Sequence, residues 1–229
     1  MKELPRLVIT GSCGLIGKKL VQHFKSTFSV LELDLTLGHD LTDEIFVRNW
    51  FQSNTKLYGI IIGHAYNPVP LNHAQKIEPV DVTLNEIRKY MEINTVSAFN
   101  VCRQFIKNNT GGCVINISSI YGSCSPRHDI YTRFVKPIGY SMSKGALNIM
   151  TKYLATYYAP AFRINTVIFG GVHDPNQDTG FVQQYAVNTP MKRMMQLDEV
   201  CSVFDFLLDP KSSYVTGSEI VVDGGWTAW

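Results

Sequence analysis

The sequence predicts an α/β fold in which helices cover both faces of a doubly wound parallel sheet. Two features carry this prediction. Short apolar runs rich in β-branched residues alternate along the chain with longer segments of helical periodicity, as in consecutive βα units. The first run, Leu7 to Thr10, leads through a glycine-containing turn directly into a helical segment, which is the order that parallel strands require. With 229 residues, the chain is expected to form a single domain over 1–229.

Composition places the chain among ordinary globular proteins. Hydrophobic residues make up 45% and charged residues 17% of the sequence, and the formal net charge of +2 argues against nucleic acid as a partner. The five cysteines and six histidines show no metal-ligand spacing, so we expect reduced thiols and no metal. There is no apolar signal region and no run of membrane-spanning length, so we expect a cytoplasmic protein without a membrane partner.

The turn after the first strand is the first candidate binding element. It consists of Gly11-Ser12-Cys13-Gly14-Leu15-Ile16-Gly17, and a helical segment from Lys18 to Phe24 follows it. Glycines allow the backbone to turn tightly and to approach a pyrophosphate, which sits on the N-terminus of the following helix. A strand, a glycine turn and a helix in this order indicate a Rossmann-type sheet with a dinucleotide site at the turn.

An acidic residue ends the second strand. Residues 29–34 are predicted to form that strand, and Asp34 lies about twenty residues past the glycines. A carboxylate there accepts hydrogen bonds from the adenosine ribose hydroxyls and repels a 2′-phosphate, so Asp34 predicts NAD in preference to NADP. Only residues 35–39 precede Asp40 and Leu41, too few for a crossover to another parallel strand. We therefore expect the third strand of the fold to be reduced or missing, with Asp40 and Leu41 brought to the adenine.

The same periodicities predict the later elements. A helix capped by Thr42 or Asp43 is expected to end at Phe51, and a long helix is expected from Leu84 to Lys107. The further predicted strands are 57–63, 112–119, 163–168 and 219–222, with a helix beginning near Tyr140 and another over 197–208. Residues 173–195 are predicted to form a mobile flap over the substrate.

A tyrosine and a lysine one helical turn apart are the main catalytic candidates. Tyr140 and Lys144 lie on the same face if the segment that contains them is helical. An ammonium about 5 Å from the phenolic oxygen, at an effective dielectric of about 20, favours the phenolate by roughly 3 kcal/mol and lowers its pKa by roughly two units. Tyr140 is then expected to act as an acid/base near neutral pH. An isolated pattern of this kind is more often an amphipathic helix with a snorkelling lysine.

A hydroxyl and a basic segment precede this helix. Ser119 ends a predicted strand, and ligands of open α/β sheets sit outside the carboxyl ends of strands, so Ser119 is expected near a reacting carbonyl. The following insertion, residues 125–137, carries Arg127, Arg133 and Lys136. These residues either place positive charge at the mouth of the site for a phosphate or carboxylate, or belong to a solvated or subunit-contact loop.

The order and spacing of these motifs resemble the short-chain dehydrogenase/reductase family over nearly the whole chain. The matching features are Thr10-Gly11 with its glycines, Asp34, Asp40-Leu41, Asn94, Ile117-Ser118-Ser119, Tyr140-x-x-x-Lys144, Arg163-Ile164-Asn165, Gly170-Gly171-Val172 and Tyr214-Val215-Thr216-Gly217 before Val222-Asp223-Gly224-Gly225. The resemblance implies an oxidoreductase that transfers a hydride between nicotinamide and a secondary alcohol or ketone. It also implies a homodimer or homotetramer.

The resemblance further implies a role for each site residue. Tyr140 exchanges the proton with the substrate oxygen, Ser119 polarises that oxygen, and Asn94 anchors a water in the proton relay. Lys144 lowers the pKa of Tyr140 and holds the nicotinamide ribose. The implied cofactor-binding residues are Gly11, Ser12, Cys13, Gly14, Leu15, Ile16, Gly17, Asp34, Asp40, Leu41, Gly63, His64, Ala65, Ile117, Tyr140, Lys144, Gly170, Gly171 and Val172. The candidate substrate contacts are Ser119, Arg127, Arg133 and Tyr140.

Some stretches depart from the common family pattern. Where the family usually has Asn-Asn-Ala-Gly, this chain has Gly63-His64-Ala65-Tyr66. The long gap between Ser119 and Tyr140 resembles a subgroup associated with bacterial surface-sugar and flagellin-glycan biosynthesis, which implies a sugar or nucleotide-sugar-like substrate. The glycine spacing resembles a larger branch that acts on nucleotide sugars, so an NAD-using sugar epimerase or dehydratase is one alternative. A catalytically silent NAD-binding scaffold is the other.

Overall fold

A six-stranded parallel sheet forms the centre of the computed structural model, which describes residues 3–68, 77–131 and 134–228. The strands are β1 (Arg6–Thr10), β2 (Ser29–Leu33), β3 (Leu57–Ile62), β4 (Gly112–Ser119), β5 (Phe162–Phe169) and β6 (Glu219–Val222). They lie in the order β2-β1-β3-β4-β5-β6. The chain thus moves outward from β1 to β2 and then returns to continue on the other side of β1. This order confirms the predicted Rossmann-type, doubly wound sheet.

Helices pack on both faces of the sheet. They are α1 (Leu15–Phe24), α2 (Glu44–Ser53), α3 (Leu84–Met91), α4 (Ser97–Lys107), α5 (Ile138–Tyr158), α6 (Thr179–Asn188) and α7 (Ser202–Leu208). Apolar side chains of α2, α4 and α5 form one core with the sheet, and those of α1 and α7 form a second core. Within the described ranges, no helix is both long enough and apolar enough to cross a membrane.

The third strand is missing, as the short spacing after Asp34 predicts. Among the described residues, no strand pairs with the outer edge of β2. The chain instead makes a single turn over Leu35–Leu37 and reaches α2, where the Asp43 carboxylate accepts hydrogen bonds from the backbone N–H groups of Ile45 and Phe46. The predicted cap of α2 is therefore confirmed for Asp43.

The helix expected from Leu84 to Lys107 contains a wide turn. Residues Glu92–Val96 form a π-helical turn between α3 and α4, and the side chain of Asn94 within it is buried. A π turn holds one residue more than an α turn and is frequent at functional sites. Apolar periodicity continues on both sides of the turn, so the sequence pattern alone predicts one regular helix.

Candidate active site

A cavity of about 320 Å³ lies where the carboxyl ends of the strands meet the starts of α1 and α5. Its walls include the glycine turn, represented by Gly11, Gly14 and Gly17, together with Tyr140 and Lys144. This is the position in which open α/β sheets bind their ligands. The topology therefore brings the two main motifs of the sequence into one cavity.

The glycine turn is so tightly packed that a side chain at Gly11 or Gly17 would overlap with the backbone. Gly11 has a left-handed φ of 68°, and its N–H donates to the Leu33 carbonyl at 2.8 Å. A Cβ on Gly17 would stand only 2.0 Å from the Gly11 carbonyl oxygen. Gly14 precedes helix α1 as its N-cap and provides no side-chain cap, so the first N–H groups of the helix can bind an anion. These features fit the pyrophosphate of a dinucleotide.

Asp34 connects the end of β2 to the glycine turn. Its carboxylate accepts hydrogen bonds from Cys13 N at 3.0 Å, Thr36 N at 2.9 Å and Thr36 Oγ1 at 2.8 Å. Partial burial raises the pKa of this carboxyl, but the hydrogen bonds from Thr36 and Cys13 outweigh burial and hold the pKa below its usual value. Asp34 is therefore ionised and places a negative charge beside the turn.

Other predicted cofactor residues differ in their relation to the cavity. Leu15, Ile16, Gly63, Ala65, Ile117, Gly170, Gly171 and Val172 line it. Ser12, Cys13, Asp34 and His64 are not part of its wall, and neither is the predicted catalytic residue Asn94. Asp40 and Leu41 are also outside it: the Asp40 carboxylate accepts from Thr42 N and Oγ1 at 2.9 and 2.7 Å, and Leu41 is buried in a core. A contact of Asp40 and Leu41 with adenine stays a prediction.

His64 joins β1, β3 and the π turn in one hydrogen-bond chain. Ser97 Oγ donates to the Ile93 carbonyl at 2.7 Å and so accepts from His64 Nε2 at 2.8 Å. The other ring nitrogen, Nδ1, then accepts from Thr10 Oγ1 at 2.7 Å. Burial and the charge of Lys144 lower the pKa of His64 to about 3. A neutral imidazole thus connects Thr10 with Ser97, at a position where the family usually has asparagine.

We expect His64 to make the folded protein sensitive to acid. Its pKa is about 3 in the folded state and about 6.5 in an unfolded chain, so below pH 6.5 the unfolded state binds one proton more. The free energy of unfolding therefore falls as the pH drops from about 6.5, by up to about 1.4 kcal/mol per pH unit, and is unaffected by this group at higher pH. Urea unfolding of wild type and His64→Asn measures this dependence. The variant should show the shallower slope, and equal slopes contradict the assignment.

The side chain of Asn94 connects the loop after β3 to α5 through hydrogen bonds. Its Oδ1 accepts from Tyr66 N at 2.7 Å, and its Nδ2 donates to the Tyr66 carbonyl at 3.1 Å and to Ser143 Oγ at 3.0 Å. The amide of Asn94 thereby shapes the cavity wall next to Ala65 and Asn67. Its part in a proton relay stays a prediction.

Ser119, Tyr140 and Lys144 lie together in the cavity. Tyr140 and Lys144 share the buried face of α5, and Ser119 at the end of β4 lines the same cavity. Lys144 Nζ donates to the Ile117 carbonyl at 2.8 Å and lies 5.9 Å from the centroid of the Tyr140 ring. The structure thus brings together the hydroxyl, the phenol and the ammonium that the sequence singled out.

The pKa of Tyr140 differs from the sequence expectation. Burial raises it to about 12, although the neighbouring Ser119 hydroxyl acts in the opposite direction. Burial also lowers the pKa of Lys144 to about 8. The expectation of a lowered pKa considered only the attraction between two charges and omitted their removal from water, which disfavours both charged forms. In this cavity Tyr140 is a neutral phenol that can donate a proton.

A second ammonium lines the same cavity. Lys136 Nζ lies 4.2 Å from the centroid of the Tyr140 ring and donates to Asn67 Oδ1 at 2.5 Å and to the Pro68 carbonyl at 3.0 Å. Arg127 is exposed, pairs with Asp129 at 2.8 Å and does not line the cavity. Arg133 lies outside the described residues. Of the basic insertion, Lys136 is therefore the described residue that faces the site.

An aromatic wall completes the cavity and was not indicated by the sequence motifs. It consists of Tyr121, Tyr131, Phe181 and Tyr185. Tyr131 stacks on Phe181 with ring centroids 5.1 Å apart, and Tyr121 and Tyr131 share a hydrogen bond of 2.9 Å. Phe181 and Tyr185 are one turn apart on α6, a spacing that in retrospect marks a shared helix face. Helix α6 lies within residues 173–195, the predicted flap. The mobility of this flap stays a prediction.

The chain is similar to known proteins along almost its whole length. A family model described as enoyl-(acyl carrier protein) reductase matches residues 15–227. Post-translational flagellin modification protein A of Campylobacter coli is 26% identical over 260 residues, which cover 99% of this chain and 99% of that protein. The NADP-dependent (R)-specific alcohol dehydrogenase of Lentilactobacillus kefiri is 28% identical over 240 residues, covering 100% of this chain and 89% of that protein.

A solved structure is similar over almost the same length. The short chain dehydrogenase from Leptospira borgpetersenii serovar Hardjo-bovis, crystallised with bound NAD+, matches with a TM-score of 0.88 at 27% identity, covering 98% of this chain and 93% of that chain. The family match spans far more than half of the sequence and includes the helix that carries the tyrosine and the lysine. The chain belongs to the short-chain dehydrogenase/reductase family.

Proposed function

We propose that this oxidoreductase uses NAD to interconvert a secondary alcohol and a ketone in a sugar-like metabolite. The observation that carries the proposal is the shared cavity, whose wall contains both the glycine turn and the group of Ser119, Tyr140 and Lys144. A pyrophosphate cradle beside a buried proton donor suits a reaction in which a dinucleotide and a carbonyl compound meet. Members of this family are NAD(P)-dependent oxidoreductases.

The residues of the chain have separate tasks in this reaction. The first turn of α1 and Asp34 hold the dinucleotide, and the nicotinamide supplies or accepts the hydride. Tyr140, protonated because burial raises its pKa to about 12, donates its proton to the substrate oxygen during reduction. Ser119 donates a hydrogen bond to the same oxygen. The Lys144 ammonium, on the same buried helix face, stabilises the phenolate that remains.

The substrate side of the cavity supports a polar ring compound. Tyr121, Tyr131, Phe181 and Tyr185 offer flat apolar faces whose hydroxyl groups can also form hydrogen bonds. The likeness to a flagellin modification protein supports a sugar derivative, and the likeness to an alcohol dehydrogenase supports a secondary alcohol. We propose that residues 173–195 cover this substrate, because Phe181, Tyr185 and Met194 line the cavity.

A screen for hydride transfer tests this function. Nucleotide sugars, uronic acids, nonulosonic acid derivatives and simple secondary alcohols are incubated with NAD+, and the matching ketones with NADH, while the absorbance of the reduced nicotinamide is followed. We expect net formation or loss of NADH with at least one sugar derivative. Conversion without net change of NADH indicates an epimerase or dehydratase instead. Absence of any conversion indicates a scaffold.

We expect the protein to prefer NAD to NADP by at least about tenfold in Kd, which corresponds to about 1.4 kcal/mol. The Asp34 carboxylate is ionised beside the turn and repels a 2′-phosphate. Relatives of similar identity include one solved with NAD+ and one described as NADP-dependent, so the preference rests on this residue. In Asp34→Asn the amide removes the charge at nearly constant size, and the preference should largely disappear. Calorimetric titrations with both dinucleotides measure it; equal affinities in the wild type contradict the proposal.

We also propose a homodimer or homotetramer formed through α4 and α5. Ile149, Tyr153 and Tyr157 on α5 are 65%, 69% and 71% exposed, and Phe99 on α4 is exposed as well. Large apolar side chains grouped on an outer helix face are typical of a subunit contact. Light scattering of the purified protein gives the molar mass, and a monomer at micromolar concentration contradicts this assembly.

A further inference from the structure

Lys136 is a buried amine for which the described residues provide no counter-charge. Its side chain lines the cavity, and the residue is only 7% exposed. Its described hydrogen-bond partners, Asn67 Oδ1 and the Pro68 carbonyl, are both uncharged. No Asp or Glu in the described ranges lies within ion-pair distance of it, and the residues outside those ranges include neither Asp nor Glu.

An unbalanced buried ammonium is costly for a fold. Removing a charged group from water disfavours it strongly unless a counter-charge or sufficient hydrogen bonds replace the water. The ammonium carries three N–H donors, and the described residues accept two of them. Burial and the nearby charge of Lys144 lower the pKa of Lys136 to about 7. The burial of Lys136 is unfavourable without a counter-charge, and its side chain lines the cavity. A ligand in the cavity can therefore supply the counter-charge.

We propose that Lys136 binds a carboxylate group of the substrate, within a few bonds of the carbon that reacts. This inference rests on the proposed function and names the chemical class of its substrate as a hydroxy acid or the corresponding keto acid. The Lys136 ammonium lies over the ring of Tyr140, whose hydroxyl points to the reacting oxygen in the proposed reaction. The carboxylate and the reacting carbon are therefore separated by only a few bonds.

A carboxylate fits this position better than a phosphate. Phosphate sites in proteins commonly combine several donors, such as arginine forks or helix N-termini. Here the ammonium is held by Asn67 and Pro68, the Lys144 ammonium donates to Ile117, and the exposed Arg127 pairs with Asp129 outside the cavity. Among the described residues, one N–H of the Lys136 ammonium has no acceptor, and a single cation of this kind matches a singly charged group.

Paired acids and amides test the proposal without requiring turnover. The protein is saturated with NAD+ and titrated calorimetrically with glucuronate and glucuronamide and with lactate and lactamide, which differ in charge but hardly in size. Glucose 6-phosphate serves as the phosphate probe. The variants are Lys136→Met and Lys136→Gln, and the matched control is Lys211→Met, which removes an exposed lysine that does not line the cavity. NAD+ affinity and thermal unfolding verify the fold of each variant.

We expect an acid to bind the wild type and Lys211→Met at least tenfold more tightly than its amide. Both Lys136 variants should lose this difference while they retain NAD+ binding. The proposal is overturned if no acid is preferred to its amide, if a Lys136 variant retains the preference, or if glucose 6-phosphate binds more tightly than glucuronate. If the protein transfers hydride with a neutral sugar and the Lys136 variants do so at the wild-type rate, the proposed function stands and this inference alone is refuted. Binding of acids through Lys136 without hydride transfer in any assay refutes the function alone.

Discussion

Turnover of Tyr140→Phe is expected to fall by about a hundredfold to ten-thousandfold, while its affinity for NAD+ stays close to that of the wild type. The substitution removes the hydroxyl that donates the proton, and general acid catalysis contributes a factor of this size. The ring itself is retained in a buried cluster with Tyr90, Ile120 and Ile168, so the fold should persist.

Steady-state rates with a substrate from the screen, together with a calorimetric NAD+ titration, measure this effect. Tyr214→Phe is the matched control, because it makes the same chemical change at a fully exposed residue that does not line the cavity. The control should retain wild-type turnover. Unchanged turnover in Tyr140→Phe would assign the proton transfer to another group and would remove the main support for the proposed mechanism.

Features that depend on chain length and local periodicity could be predicted from the sequence. The strand, the glycine turn and α1 follow one another without insertion, so the cradle could be located from Leu7 to Phe24 alone. The missing third strand follows from the five residues between Asp34 and Asp40, since no crossover of that length connects parallel strands. Tyr140 and Lys144 share a helix face because of their spacing. These are local constraints that distant contacts rarely override.

Features that depend on burial could not be predicted in the same way. Arg127 and Lys136 carry the same charge in the same insertion, yet the first is exposed and paired whereas the second is buried in the cavity wall. The raised pKa of Tyr140 likewise results from removal of water by residues far away in the sequence. The role of His64 becomes clear only when Thr10 and Ser97 are brought to its two ring nitrogens.

Gly17→Ala is expected to lower the unfolding free energy by about 3 kcal/mol or more and to abolish NAD+ binding. The added Cβ would lie 2.0 Å from the Gly11 carbonyl oxygen and 2.8 Å from Ser12 Cα, far inside van der Waals contact. Both are backbone atoms, so no side-chain rotation relieves the overlap. Helix α1 must therefore move away from the turn, and the cradle for the pyrophosphate opens.

Gly38→Ala is the control that distinguishes the steric overlap at Gly17 from the strain of a left-handed backbone. Gly38 has a left-handed φ of 82°, and a Cβ there would meet no atom within 4 Å. Its replacement should cost only the left-handed penalty of about 1 to 2 kcal/mol and leave NAD+ affinity unchanged. Urea unfolding and NAD+ titration of both variants make the comparison. If Gly17→Ala bound NAD+ as tightly as Gly38→Ala, the cofactor could not depend on the close approach of α1 to the turn, and the pyrophosphate would have to be held elsewhere in the cavity.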